Sequence, residues 1–365
     1  MPASIDPAIV RALSLDIGTS KIAAHGGSGF SSTFRITTTS TSARSSIFVK
    51  TSSSPGAEVM FEGEHASLNA IHDAVPSLCP ESFAWGKLER GGDGGFFLAT
   101  EFLDLGGGLS SPSPSRSTRG SRSGGKGGGG GTSGMSLARK LAHLHSTPAP
   151  VPEGYDAPQF GFPVSTCCGD TPQDNSFSSS WADFFAQRRL LAILERGERT
   201  NGPDPQLRRS VERVVGEVVP KLLGDGHLGG DKGGVVPVVV HGDLWSGNKS
   251  RGRFVGRGQG DLGDGDGDGE AGSVAIEDVV YDPASCYAHN EYDFGIMHMF
   301  GGFGSAFWNE YHSIVPKTEP VSEYDDRVRL YESYHHLNHW AIFGGGYKGG
   351  AMGLLKGLLA KYGDN

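Results

Sequence analysis

Apolar and polar residues along the chain follow two periods, and the two occupy different parts of it. In the first third the repeat is two, which predicts strands. Phe34-Arg35-Ile36-Thr37 and Ser46-Ile47-Phe48-Val49-Lys50 are short examples, and Phe96 to Asp104 is a longer one with a polar exit. Further on the repeat is near 3.6, which predicts helices. Ser136 to Ser146 carries Leu137, Leu141 and Leu144 on one face. Trp181 to Leu194 is rich in aromatic and apolar positions, and Leu207 to Leu223 has a valine stripe. An aromatic helix through Tyr331, Tyr334, Leu337 and Trp340 stops at Gly344-Gly345-Gly346, as glycine just past a helix end does. Two helices fall within the strand-rich part: Asp6 to Leu15, and Met60 to Val75. A strand-rich unit followed by a helical one predicts an α+β chain with a cleft between two lobes.

Two segments fit neither period. Residues 105–134 are Gly/Ser/Pro/Arg-rich and 256–272 are Gly/Asp-rich, compositions that cannot bury a core. They divide the chain into an N-terminal lobe over 1–104, a disordered insertion over 105–134, and a C-terminal lobe over 135–365 that contains the second insertion. Asp264, Asp266 and Asp268 with Gly269 imitate a calcium loop, but the twelfth position is Ala275 where a bidentate Glu is needed, so an exposed acidic hairpin tip is expected.

Composition narrows the partners. The chain has 365 residues, 58 of them glycine, and a net charge of −9 with no basic stripe, which argues against nucleic acid or an acidic membrane. Its four cysteines lack C-x-x-C spacing and read as reduced thiols. With no apolar run of spanning length and no signal-like start, a cytoplasmic location is expected.

The chemistry concentrates in Val238-Val239-Val240-His241-Gly242-Asp243-Leu244-Trp245-Ser246-Gly247-Asn248. A β-branched run delivers a loop with an Asp and, five residues on, an Asn. That is H-x-D-x-x-x-x-N, the catalytic loop of protein-kinase-like phosphotransferases, in which the Asp meets the acceptor hydroxyl and the Asn ligates Mg²⁺. Other parts agree in order. Gly26, Gly27, Ser28 and Gly29 suit a strand-turn-strand cover for phosphates. Lys50 ends a strand, and Glu64 lies fourteen residues on in a helix, as a phosphate-positioning Lys–Glu pair would. Glu101, Phe102 and Leu103 are the expected hinge between lobes, whose backbone reads adenine. Asp282, after the strand-like Val279-Val280-Tyr281, is the expected second metal ligand. Asp293-Phe294-Gly295 spells the kinase metal triplet, but its mixed, polar approach predicts instead that Asp293 caps the helix starting at Phe294.

The string H-G-D-L-W-S-G-N at His241 to Asn248 resembles the fructosamine-3-kinase (ketosamine-3-kinase) family. So do Met60-Phe61-Glu62-Gly63-Glu64, Phe160-Gly161-Phe162-Pro163, Trp181-Ala182-Asp183-Phe184-Phe185, Tyr281-Asp282-Pro283-Ala284-Ser285 and Leu337-Asn338-His339. The resemblance implies a bilobal protein-kinase-like fold of the aminoglycoside-phosphotransferase type. It also implies an ATP- and Mg²⁺-dependent kinase acting on the 3-hydroxyl of ketosamines, the sugar adducts of protein lysines and small amines, with loss of the phosphorylated adduct restoring the amine. On this sequence Asp243 would be the general base, Asn248 and Asp282 the metal ligands, and Lys50 and Glu64 the phosphate-positioning pair.

Sugar-binding residues are less legible. Trp245, His289, Glu291 and His335 are the substrate candidates, while His143 and His145 are expected at a helix end and on the surface. A monomer or weak dimer is expected. Two rival readings use the same loop: a kinase of another small molecule, aminoglycoside- or choline-kinase-like, and a catalytically inactive binding protein.

Overall fold

A computed structural model describes residues 4–26, 31–39, 45–90, 94–105, 134–257 and 276–364. Gly27, Ser28, Gly29 and the acidic run with Asp264, Asp266 and Asp268 lie outside the described residues.

The first part of the chain supplies α1 (Pro7–Ala12), β1 (Ser20–Ala24), β2 (Ser32–Thr38), β3 (Ser46–Ser52), α2 (Ala57–Ala74), β4 (Ser82–Lys87) and β5 (Phe96–Asp104). Asp6 caps α1 by accepting from the Ala8 amide at 2.9 Å. The strands pair antiparallel in the order β1-β2-β3-β5, and β4 joins β5 from the other side. In β3 the alternation buries Ile47 and Val49 and turns Phe48 and Lys50 to the opposite, part-exposed face. Ile47 and Val49 join Ile9, Ile36, Phe97 and Ala99 in a small core of their own.

The second part begins with α3 (Leu137–Leu144) and the hairpin β6 (Thr166–Cys168) and β7 (Thr171–Gln173). Two long helices follow, each interrupted by a π-helical turn. One runs as α4 (Trp181–Phe185), a π turn at Ala186–Leu191, and α5 (Ala192–Asn201). The other runs as α6 (Pro205–Arg213), a π turn at Val214–Val218, and α7 (Val219–Leu223). Then come β8 (Val238–Val240), β9 (Lys249–Val255), β10 (Glu277–Val280) and β11 (Cys286–Ala288). The chain closes with α8 (Phe294–Phe300), α9 (Ser305–Ile314), α10 (Tyr324–Phe343) and α11 (Tyr347–Tyr362).

Packing ties the two parts together at two places. Helix α2 puts Phe61, Leu68 and Ile71 into the same large core as α3 to α11. Strand β9 continues the first sheet, pairing Phe102 with Val255, Leu103 with Phe254 and Asp104 with Arg253. The first lobe is therefore clamped through the element that carries Glu64 and through its last strand. The tight cap at the end of α10, where Gly344 adopts φ 64, follows the predicted stop.

Candidate active site

Strand β8, buried along all three valines, delivers the chain to His241 and into the loop. The loop is held by its backbone. The His241 amide donates to Asp293 Oδ2 at 2.9 Å, and the Gly242 amide donates to Oδ1 of the same carboxylate at 2.7 Å. His145 Nε2 adds a third bond to Asp293 at 3.1 Å, and Tyr311 holds the other ring nitrogen at 2.8 Å. Burial alone would raise the Asp293 carboxyl, yet these donors hold it below its ordinary value. Gly242 sits at φ 80, and a Cβ there would lie 2.0 Å from the Ala284 carbonyl oxygen. Only glycine fits the middle position of H-x-D here.

His241 is fully buried, and burial lowers its pKa. Its Nδ1 accepts from the Asp243 amide at 3.3 Å and its Nε2 faces the Tyr281 carbonyl at 3.2 Å, which assigns the proton to Nε2. The ring thereby joins the start of the catalytic loop to the segment bearing Asp282. Asn248 Nδ2 donates to the Asp243 carbonyl at 2.9 Å, which fixes the amide within the loop. Burial, then the neighbouring Asp282 charge, raises the Asp243 carboxyl to about 8.

Asp282 follows β10 and takes φ 57, one of two non-glycine residues with positive φ among the described residues. That rare conformation turns its carboxylate toward Lys50. Lys50 Nζ lies 2.5 Å from Asp282 Oδ1 and 2.6 Å from Glu64 Oε1. Burial would depress the ammonium, but Asp282 and Glu64 outweigh it and hold the pKa above the ordinary lysine value. Burial would likewise raise Asp282, and Lys50 holds it down. Glu64 can lie this close because its neighbour is Gly63, where a Cβ would be 2.6 Å from the Ser165 carbonyl oxygen. Lys50, Glu64, Asp243, Asn248 and Asp282 thus converge on one cleft.

Several expectations need correction. Asp293 makes no side-chain cap bond to the helix at Phe294; it is fully buried beneath the catalytic loop. His145 is buried in the same network, whereas His143 is exposed as expected. His289 and Glu291 do not face the cleft. His289 is bonded to the Tyr331 and Thr318 hydroxyls, and Glu291 pairs with Arg327 in the core, because such buried groups need internal partners. His335 is fully buried between the Tyr292 and Tyr334 rings, so it does not line the site either.

The other predicted residues fall as follows. Gly26, the one described residue of the expected phosphate cover, adopts φ 72 two residues past β1. The hinge trio lies inside β5: the Glu101 amide donates to the Glu81 carbonyl at 2.9 Å, and its carboxylate pairs with Arg257. The Glu101 amide is therefore not free to read a base, while Phe102 packs beneath His25 at 4.9 Å. Trp245 is half-exposed beside Asp243, and its ring meets Phe300 at 5.5 Å. From there His339 lies 5.2 Å from Phe300, and Tyr347 lies 5.1 Å from His339. The sequence reading names Trp245 as a substrate candidate but does not join it to Phe300, His339 and Tyr347, which are far apart in the chain.

Among the described residues no group of three His, Cys, Asp or Glu side chains converges as a metal cage. A Mg²⁺ site does not require one, because magnesium keeps waters and phosphates and takes only one or two protein oxygens. The Asn248 Oδ1 and the half-exposed Asp282 carboxylate suit that role.

A two-lobed chain with this loop has the protein-kinase-like fold of a phosphotransferase. The comparisons are narrower. The family model described as fructosamine kinase matches residues 8–113 and 128–361 and omits part of the first insertion. Ketosamine-3-kinase of Mus musculus is 31% identical over 86% of this chain and 87% of its own length. The chloroplastic protein-ribulosamine 3-kinase of Arabidopsis thaliana is also 31% identical, over 86% of this chain and 76% of its own. A crystal structure from Thermobifida fusca YX-ER1, named as a candidate fructosamine-3-kinase, superposes with a TM-score of 0.68 at 22% identity, covering 98% of this chain and 99% of that one. The chain belongs to the fructosamine kinase family.

Proposed function

We propose that this protein transfers the γ-phosphoryl group of ATP to the 3-hydroxyl of a ketosamine, a ribulosamine or fructosamine adduct on a lysine or small amine. The observation that carries the reading is the H-G-D-L-W-S-G-N loop, fixed by Asp293, with Asp243 facing the cleft that Lys50 and Asp282 close. Asp243 orients the acceptor hydroxyl and takes its proton as the oxygen bonds to phosphorus and the bond to ADP breaks. Lys50, set by Glu64, exchanges its contact with Asp282 for phosphate oxygens. Asn248 and Asp282 would hold Mg²⁺, which when bound neutralises charge on the phosphates. A cation at Asp282 would also offset one of the causes that raise Asp243, leaving it a more available base.

Trp245 offers an aromatic face beside Asp243 on which a sugar can rest, and His339 and Tyr347 continue that surface. Phosphate is a far better leaving group than hydroxide, so the 1,2-enaminol of the phosphorylated adduct expels it from C3, and water hydrolyses the resulting imine to a dicarbonyl and the free amine. Among the described residues no helix is long and apolar enough to cross a membrane. A cytoplasmic monomer or weak dimer belongs to the same reading.

The test is ATP consumption with Mg²⁺ and ribulose-lysine, fructose-lysine or kanamycin as acceptor, run beside Asp243→Asn. Turnover on a ketosamine that the variant loses is the expected result. Turnover on kanamycin alone would move the protein to antibiotic kinases, and ATP binding without turnover would make it a binding protein.

A further inference from the structure

The β6–β7 hairpin brings a thiol at its turn to Asp243 Oδ1, while Asn248 stands nearest the other oxygen, Oδ2. Cys168 Sγ lies 3.7 Å from Asp243 Oδ1, in the geometry of a thiol donor to a carboxylate oxygen. The hairpin that carries it is held by several hydrogen bonds. The Cys168 carbonyl accepts from Asn338 Nδ2 on α10 at 3.2 Å. Gln173 across the hairpin donates to the Tyr334 hydroxyl at 2.6 Å. Thr166 donates to Gln173 Oε1 at 3.1 Å, and Asn175 donates to Thr166 at 2.9 Å. On its other side the hairpin backbone meets Gly63, the residue before Glu64. One short hairpin therefore touches the helix that sets Lys50 and the carboxylate that meets the acceptor.

Packing alone accounts for a buried cysteine in most proteins. Here the sulfur faces an acidic oxygen instead of an apolar wall. Burial and the Asp243 charge both push the thiol well above its ordinary pKa, so it keeps its proton and donates to Asp243 when that carboxyl is ionised. A donor fixed on Oδ1 restricts rotation of the carboxylate about its last torsion. Asn248 Nδ2 bonds mainly to the backbone carbonyl of Asp243 and stands 3.4 Å from Oδ2.

We propose that Cys168 is a positioning residue for phosphoryl transfer: its S–H holds Asp243 Oδ1 so that Oδ2 presents a lone pair to the acceptor hydroxyl. The assignment rests on reading Asp243 as the base, so it is tested by turnover and separately by spectroscopy. In steady-state assays Cys168→Ala lowers kcat by roughly tenfold to a hundredfold, the scale for a misplaced reacting group. KM for ATP and the melting temperature stay near wild type. Cys168→Ser, which restores a donor, recovers most of the loss, and Cys167→Ser is silent. Full kcat in Cys168→Ala, or equal losses in the Ala and Ser variants accompanied by a fall in melting temperature, would overturn the proposal.

Infrared difference spectra between wild type and Cys168→Ala isolate the Cys168 S–H stretch without any acceptor present. The band is expected at lowered frequency, rising in Asp243→Ala. A band indifferent to Asp243 would overturn the contact itself. A wild-type protein that shows the shifted band yet phosphorylates no ketosamine would overturn the functional reading and leave the contact established.

Discussion

Asp282 and Asp293 stand eleven residues apart and do opposite things. Asp282 leaves β10 in a left-handed conformation, about half-exposed, with its carboxylate on Lys50 across the cleft. Asp293 is fully buried and takes two backbone amides and His145. One carboxylate is kept open to solvent, at the expense of backbone strain. The other is locked where nothing can reach it, and its work is to shape the loop above. The pair shows that the letters around an aspartate say less about its role than what its oxygens touch. Asp293 carries the Phe-Gly that follows a kinase metal ligand, yet it is Asp282 whose carboxylate meets Lys50.

Three substitutions sharpen this contrast, beginning with the largest effect. Asp282→Ala is expected to lower kcat by about a hundredfold to a thousandfold, the scale for removing one charge-stabilising contact, with little change in melting temperature. A variant with near-normal kcat would remove Asp282 from the site. Asp293→Ala leaves two amides and His145 without their acceptor, and a broken buried network of this kind costs about 3–5 kcal/mol. Its melting temperature should fall steeply, and activity should fall with it, whereas an unchanged transition would contradict the anchoring role.

The smallest effect concerns pH. Burial depresses His289 to about 4 and His335 to about 3 from an ordinary value of 6.5. Between those values and 6.5 the unfolded chain binds protons that the folded chain refuses, so stability rises with pH there and is lost as pH falls below 6.5. His335→Leu should flatten the decline in melting temperature between pH 7 and pH 5. An unaltered slope would show that His335 is not part of it.

How much of this was legible in the sequence depends on the distance between partners. Strand β5 was readable end to end, because alternation and a polar exit are local signals. Helix α2 was readable within three residues of its start, since no side chain caps it and Gly56 marks the turn only weakly. The π turns at Ala186–Leu191 and Val214–Val218 were not, because the apolar stripe continues through them. The positions of Lys50, Glu64, Asp243, Asn248 and Asp282 were set out in motif order, and their convergence needed the fold. The anchoring role of Asp293 was hidden for a physical reason. An Asp before a helix has the composition of a cap, and its true partners at His241 and Gly242 are amides, which leave no mark in the residue letters. His289 and Glu291 misled in the same way, since their partners Tyr331 and Arg327 lie on α10.

The measurement that bears most directly on the account is phosphorus NMR of the product formed from ATP, Mg²⁺ and fructose-lysine or ribulose-lysine. A phosphomonoester coupled to the hydrogen on C3 of the sugar is expected, decaying to inorganic phosphate as free lysine appears, and absent with Asp243→Asn. A phosphoester at another hydroxyl, or a product formed equally well by Asp243→Asn, would contradict it.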